Sequence, residues 1–550
     1  MRVLGINAIF HDPSAALVVD GHVVAAAEEE RFSRRKHGKR PVPFAAWELP
    51  ELAIRWCLEK GGLSPADIDA VGYSFDPALS KPADELGLSD AWDHLRIMYA
   101  ERAPQFLATA LPGLDQSKVH FVPHHVAHAA SAALASPHRD SSVLVLDGRG
   151  ERASHLAGRY TGSRLEMLAS QELPHSLGLL YESLTEYLGF LRSSDEYKVM
   201  ALASYGRPRH RDALGEFVYA TGDGGFVADI PDWSRWAPKR SGDEWGGDHA
   251  DLAASVQVRL EEVLVELARW LHTQTGDRVL TMAGGTALNC VANSRIWRET
   301  PFEEVWVQPA AGDAGTALGA ALQIDADTGV PPTPMPSAAL GRSWTDDELA
   351  GWLRRAAVPF TTPHDLADQV AEILAGDGVV AWFDGRSEFG PRALGQRSLL
   401  ANPAGRDNQE RLNAVKGREQ FRPLAPMVLT DRAAEIFSGG PVPSPYMLFV
   451  HSVDPAWQDR IPAVVHVDGT ARIQTVDDRT LPRVAALLRS FEARTGLPVL
   501  LNTSLNTAGR PIVDDPRDAL ELFGSTPVDA LVLGPHLVRR QAMYATEVSR

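Results

Sequence analysis

Apolar runs separated by short polar breaks open the chain. In RVLGINAIFHDPSAALVVDGHVVAAAEEERF, starting at Arg2, they predict three strands, with a polar turn at His11 and Asp12 and a hairpin signal at Asp20-Gly21. From Ser141 the segment SSVLVLDGRGERASHLAGRYTGSRLEML repeats that order: an apolar strand, a glycine-rich turn from Asp147 to Gly150, a second strand and a further turn at Gly162. Two copies of one hairpin predict two related α/β halves facing each other across a cleft.

Between and after the copies the apolar period becomes helical. Residues 44–61 and the segment FVPHHVAHAASAAL, 121–134, are predicted helices, and in the second His124 and His128 stand one turn apart on the same face. That spacing grips a metal ion, and it equally suits two ordinary buried histidines. LGLLYESLTEYLGF is amphipathic, and a long helix over 251–274 aligns Leu252, Val256, Leu260, Val263, Leu264 and Leu267 before Gly276 ends it. RVLTMAGGTALNCVANSRI predicts a strand, a glycine turn and a helix, whose exposed N–H groups suit a phosphate or nucleotide. Proline density in DTGVPPTPMPSAALG, 327–341, excludes regular structure and marks a linker. The expected domains are therefore 1–335 and 343–550. The second opens an α/β unit with GVVAWFDGRSEFGPRALGQRSLLANP, and LPVLLNTSLNTAGRPIV predicts a buried strand entering an Asn/Thr/Ser loop.

Composition narrows the classes. At 550 residues the chain exceeds one hydrophobic core, and its 44% hydrophobic and 23% charged residues are those of a globular protein. A net charge of −17 argues against nucleic acid or an anionic membrane as partner, both being negative themselves. Cys57 and Cys290 are the whole cysteine complement, so neither a disulfide framework nor a cysteine zinc site is expected. The start MRVLGINAIFHDPSAAL is a poor signal peptide, and no apolar run reaches the ~18–20 residues of a membrane span, so a cytoplasmic protein is expected.

Chemistry-bearing residues gather in a few places. Asp147 closes SVLVLD and Asp313 sits in QPAAGDAGTALG; with His124 and His128 they make a set of the kind that binds iron(II) or another divalent ion, or else they are turn-capping aspartates. Arg386, Arg392, Arg397, Lys416, Arg418 and Arg422 cluster among Gly and Pro in an otherwise acidic chain, which suits polyanion capture as well as a solvated basic surface. Arg472 and the loop from Asn502 to Asn506 offer further donors. His11 is placed to take a proton from a hydroxyl, with Asp12 orienting it, though a loop histidine is as often plain surface.

In order along the chain, FHDPSAAL, EEERFSRRKHG, HHVAHAASA, VLDGRGE, DEYKVMALASYG, MAGGTALNCVAN, GRSEFGPRALGQRS, REQFRPLAP, HVDGTARIQTV and VLLNTSLNTAGRPIV resemble the O-carbamoyltransferase family of antibiotic and nodulation-factor biosynthesis. The resemblance implies a duplicated, actin/Hsp70-like first domain related to the universal tRNA threonylcarbamoyl-transferring protein. It implies a YrdC-like α/β second domain, akin to the enzyme that makes threonylcarbamoyl-adenylate. Two linked reactions are implied: carbamoyl phosphate and ATP, the latter with Mg, give carbamoyl-adenylate, and the carbamoyl group then passes to a hydroxyl of a small-molecule acceptor, releasing AMP. Matched motif by motif, the metal ligands fall on His124, His128, Asp147 and Asp313, with Fe(II) expected, and the catalytic histidine falls on His11. His125 drops out of the ligand set as a packing group. Carbamoyl-phosphate and ATP residues fall on Arg392, Arg422, Arg472, Asn502 and Ser504, and adenylate contacts on Asn289 and Gly148, with Lys198 a further nucleotide contact. Ala201 and Ser204 stand where the family more often has Gly and Pro. A threonylcarbamoyl enzyme acting on tRNA, or a non-catalytic nucleotide-binding relative, are the alternatives; the negative charge opposes the first and the retained site residues oppose the second.

Overall fold

The computed structural model describes residues 1–39, 48–88, 92–242 and 245–540. The chain divides into two compact units, 1–336 and 337–550. In the first, strands β1 (Arg2–Asn7), β2 (Ser14–Val19) and β3 (His22–Glu28) form an antiparallel meander, and β4 (Ala70–Tyr73) and β5 (Val119–Phe121) extend it in parallel from the β1 side. The second sheet repeats this plan. Strands β6 (Ser141–Leu146), β7 (Ala153–Thr161) and β8 (Arg164–Glu172) are the meander; after a small ribbon of β9 (Val218–Ala220) and β10 (Phe226–Ala228), strands β11 (Val279–Ala283) and β12 (Glu304–Val307) add in parallel beside β6. The spatial orders 3-2-1-4-5 and 8-7-6-11-12 match copy for copy, which is the pair of related halves expected from the repeated hairpin and the duplicated actin/Hsp70-like plan that the resemblance implies.

Two helices lie between the sheets. Helix Ala314–Asp327 packs on β1, β2 and β4, and the histidine helix His124–Ala133 packs on β6, β7 and β11; the two helices also pack on each other. Their backbones touch: a Cβ on Gly319 would stand 1.7 Å from the carbonyl oxygen of Ala127, so no other residue fits there. The long helix spans Gly247–Thr275 and ends on Gly276 at φ +65°, in agreement with the 251–274 expectation. Of the predicted 44–61 helix, 44–47 lie outside the described residues and the helix runs Glu51–Gly61. The proline-rich stretch is partly fastened down, since the N–H groups of Thr333 and Met335 donate to the carbonyls of Gly21 and Ala135.

The second unit is built on a mixed seven-stranded sheet. Its strands are β13 (Val380–Phe383), β14 (Arg397–Ala401), β15 (Ala425–Leu429), β19 (Gln474–Val476), β20 (Val499–Ser504), β21 (Ala530–Leu533) and β22 (His536–Arg539), in the order 19-15-20-14-13-21-22. A small antiparallel sheet of β16 (Phe437–Ser438), β17 (His451–Val453) and β18 (Thr470–Ala471) sits beside it in sequence. Near-continuous apolar strands such as VAWF and ALVL are buried along their whole length, as strands covered on both faces must be. No helix among the described residues is long and apolar enough to cross a membrane.

Candidate active site

The duplicated plan sets two hairpin turns at equivalent places. The turn after β1 carries His11 and Asp12; the turn after β6 carries Asp147 and Gly148. Loops at the carboxyl ends of β1 and β6 thus meet the N-terminus of the histidine helix and Asp313, which heads helix Ala314–Asp327.

His124, His128, Asp147 and Asp313 each offer a ligand atom, and these atoms lie within 4.8 Å of one another. His124 Nε2 is 3.4 Å from Asp147 Oδ2 and 3.6 Å from Asp313 Oδ1; His128 Nε2 is 3.9 and 3.6 Å from the same two atoms. All four residues are buried, and His124 Nε2, His128 Nε2 and Asp313 Oδ2 make no hydrogen bond of ordinary geometry. Buried polar atoms left in this state cost free energy unless a cation satisfies them, so the donor set fits a divalent ion. Their supports point the same way. His124 Nδ1 meets the carbonyl of Ser74 at 3.1 Å, which turns Nε2 toward the cluster, and the N–H of Gly285 donates to Asp147 Oδ1 at 3.0 Å. Buried Glu151 accepts from the main-chain N–H groups of His124 and Asp76, both at 2.8 Å, and so ties down the start of the histidine helix.

Electrostatics follow from this crowding. Burial opposes charge on His124, yet the Asp147 and Asp313 carboxylates outweigh it and hold its pKa well above the ordinary histidine value. Burial likewise pushes the Asp313 carboxyl up, but His11, His124 and His128 pull it well below the carboxylate range. His125 goes the other way: burial and the charge on His124 lower it to about 3, and its ring packs over Gly150, where a Cβ would lie 3.1 Å from Cε1. It serves as a neutral packing group.

The His11 side chain remains 37% exposed, open to a substrate, with Nε2 3.7 Å from Asp313 Oδ2 and Nδ1 3.0 Å from Asp12 Oδ2. Its partial burial opposes protonation, but Asp313 and Asp12 raise its pKa to about 10. Asn7 Nδ2 donates to the carbonyls of His11 and Asp12, and buried Lys39 Nζ donates to those of Ala8, Ile9 and Phe10, pinning the turn from below. Sequence reasoning passed over Asn7, Lys39 and Glu151; the only signal was that Glu151 lies in the same short motif, VLDGRGE, as Asp147.

The other expected contacts have protein partners of their own. Gly284, at φ +92° and with Leu146 O only 2.1 Å from where a Cβ would be, forms the expected glycine turn, but the N–H of Gly285 orients Asp147 and is not left for a phosphate. Asn289 caps helix Cys290–Glu299 through the N–H of Ala292 and exchanges amide hydrogen bonds with Gln257 at 2.9 and 3.1 Å. Lys198 Nζ pairs with Asp195 at 3.1 Å. Gly148 lies where Gly178, at the start of helix Leu177–Tyr187, presses on its backbone: a Cβ on Gly178 would come within 2.7 Å.

In the second unit, strand directions gather one end of the sheet. β14 and β15 both run antiparallel to β20, and β19 runs parallel to β15, so the residues just before β14, β15 and β19 meet the end of β20. Arg392, Arg422 and Arg472 precede those strands, and Asn502 and Ser504 close β20. Asn502 Nδ2 donates to the Ala393 carbonyl at 3.1 Å and to Gln474 Oε1 at 2.8 Å, beside two of these arginines. Arg472 Nε and Asn502 Oδ1 are buried without a hydrogen-bond partner. Lys416 Nζ donates to Ser504 Oγ at 3.0 Å and Asn506 Oδ1 at 2.6 Å. Arg386 and Arg397 leave the basic cluster: Arg386 donates to the Gly341 and Leu340 carbonyls, while fully buried Arg397 donates to those of Asp384, Gln396, Arg342 and Gly385 and stacks on Phe383. Both are structural arginines.

The model of the carbamoyltransferase N-terminus matches residues 2–81 and 92–322, and that of the carbamoyltransferase C-terminus matches 371–540. An uncharacterised protein of Synechocystis sp. is 37% identical over 99% of this chain and 98% of its own. Nodulation protein NolNO of Sinorhizobium fredii is 38% identical over 99% of this chain and 81% of its own, and nodulation protein U of the same species 32% over 93% and 94%.

Proposed function

The chain belongs to the carbamoyltransferase family of enzymes, and from that premise we propose that it is an ATP-dependent O-carbamoyltransferase working through carbamoyl-adenylate. The observation that carries the reading is the convergence of two buried imidazoles and two carboxylates beside the open Nε2 of His11.

In the second unit, whose expected class is YrdC-like, Arg392, Arg422 and Arg472 would bind the phosphates of carbamoyl phosphate and Mg-ATP, with Asn502 and Ser504 completing the pocket. The adenylate holds one phosphorus, which comes from ATP. Water therefore first cleaves the P–O bond of carbamoyl phosphate, giving inorganic phosphate and carbamate, and the carbamate oxygen then attacks the α-phosphorus of ATP and expels pyrophosphate.

In the first unit the acceptor hydroxyl attacks the carbamoyl carbon, His11 Nε2 takes the hydroxyl proton, and the bond to the phosphate oxygen breaks to release AMP. His124, His128, Asp147 and Asp313 would hold the divalent ion, iron(II) being the expected one. When bound it supplies Lewis-acid polarisation and a fixed template for oxygen atoms. Once the charge of Asp313 is engaged, its pull on His11 weakens and the imidazole moves back toward the range of a base at neutral pH. The acceptor is a hydroxyl-bearing small molecule.

Incubation with carbamoyl phosphate, ATP, iron(II) and a panel of hydroxyl compounds tests this, followed by mass spectrometry for the carbamoyl increment. Arg392→Ala is expected to abolish pyrophosphate release, whereas His11→Ala keeps it and blocks transfer. Both variants failing at the same step would remove the division of labour.

A further inference from the structure

Asp12 bridges two imidazoles. Its Oδ2 lies 3.0 Å from His11 Nδ1 and its Oδ1 lies 2.9 Å from His37 Nδ1; on the far side, His37 Nε2 meets Ser194 Oγ at 2.7 Å. An ionised carboxylate only accepts, so both Nδ1 atoms carry hydrogen. His11 then turns Nε2 toward Asp313, the one ring nitrogen left for chemistry. The His37 main-chain N–H is fixed too, donating to Glu30 Oε2 at 2.9 Å.

Asp12, Glu30 and His37 also stand close enough to suggest a second cation site. Both ring nitrogens of His37 are already engaged, however, and Lys36 pairs with Glu30 at 3.4 Å, which sets a positive charge where a cation would sit. The cluster is a hydrogen-bond chain.

We propose that His37 is a positioning residue for the transfer step. By occupying Oδ1 of Asp12 and anchoring on Ser194, it aims Oδ2 at His11 and holds His11 in the tautomer whose Nε2 accepts the proton. The inference rests on His11 being the proton acceptor.

A donor–acceptor swap in the full-length enzyme tests it, with carbamoyl phosphate, ATP and glycerol as the hydroxyl probe. Carbamoyl-glycerol, pyrophosphate and thermal unfolding are followed together. In Asp12→Asn the single side-chain oxygen is claimed by His37, so the amide NH2 faces His11 and selects the wrong tautomer. Transfer kcat is expected to fall roughly 10–100-fold or more, with pyrophosphate release and the KM for glycerol unchanged. His37→Asp alone opposes two carboxylates and also slows transfer. Combined in D12N/H37D, the new carboxylate accepts the amide and turns its oxygen back to His11, so transfer recovers about tenfold over D12N. His37→Asn keeps a donor and retains most of the activity; both Asn and Asp are at ease at this backbone position, φ +61°.

A double variant no faster than D12N, or H37D as fast as the wild type, overturns the inference. His11→Ala in parallel separates the premise: transfer surviving in H11A sinks the proton-acceptor reading itself, whereas an inactive H11A beside an unrescued double variant sinks only the role of His37.

Discussion

At the scale of residues the site is a charge balance. Two carboxylates and His124 crowd a buried volume, and without a cation the acids hold a proton on the imidazole. A histidine whose folded pKa exceeds its unfolded value of about 6.5 stabilises the fold fully below that pH, and the contribution disappears as pH rises through the raised value. The metal-free protein is thus expected to lose stability on alkalinisation from about pH 6.5 upward, and divalent-ion binding, which displaces the proton, tightens over the same range. Thermal unfolding and ion titration across pH check both trends; affinity independent of pH would contradict them. Asp313→Asn should weaken ion binding by more than the ~10–100-fold typical of an outer partner, read as metal per chain after dialysis, while Glu151→Gln should stay near that smaller figure. The expected ligand set came from the motif resemblance, since a helical pair of histidines and aspartates beside glycines equally suit a packed core and turn caps; the structure brings the four side chains together. Asn7, Lys39 and His37 were not legible, because they act on main-chain carbonyls and on another side chain, and no spacing rule reports such contacts.

At the scale of elements, the repeated hairpin and the long helix were readable from hydrophobic period alone, since strand and helix place apolar residues at different intervals. The crossing of the two inner helices was not, for a glycine in an alanine-rich helix reads as a mere weak spot. Gly319→Ala puts a Cβ into the Ala127 carbonyl. It is expected to cost about 1–3 kcal/mol, seen as a lower unfolding temperature, and to reduce metal occupancy as well, because Asp313 and the histidines ride on the two separated helices. Full occupancy in a destabilised G319A protein would detach the crossing from the site. At the glycine turn after β11 the strand, turn and helix were legible, but that the N–H of Gly285 donates to Asp147 depends on the neighbouring strand.

At the scale of the molecule, 1–336 and 337–550 each possess a core, and the two should unfold as separate cooperative blocks. Calorimetry is expected to resolve two transitions, of which divalent ions raise one and G319A lowers the same one; a shift in both would mean that the blocks melt together. Only the position of the break was visible in the sequence, through its prolines. The matching turns after β1 and β6 carry unlike side chains, His11 on one and Asp147 on the other, which under the proposed function are base and ion ligand. A strictly twofold ancestor would own a pair of bases or a pair of anchors at this spot. Under the proposed function, divergence between the repeats would give the cleft its polarity: one wall grips while the opposite wall draws the proton away, and a substrate enters facing only one way.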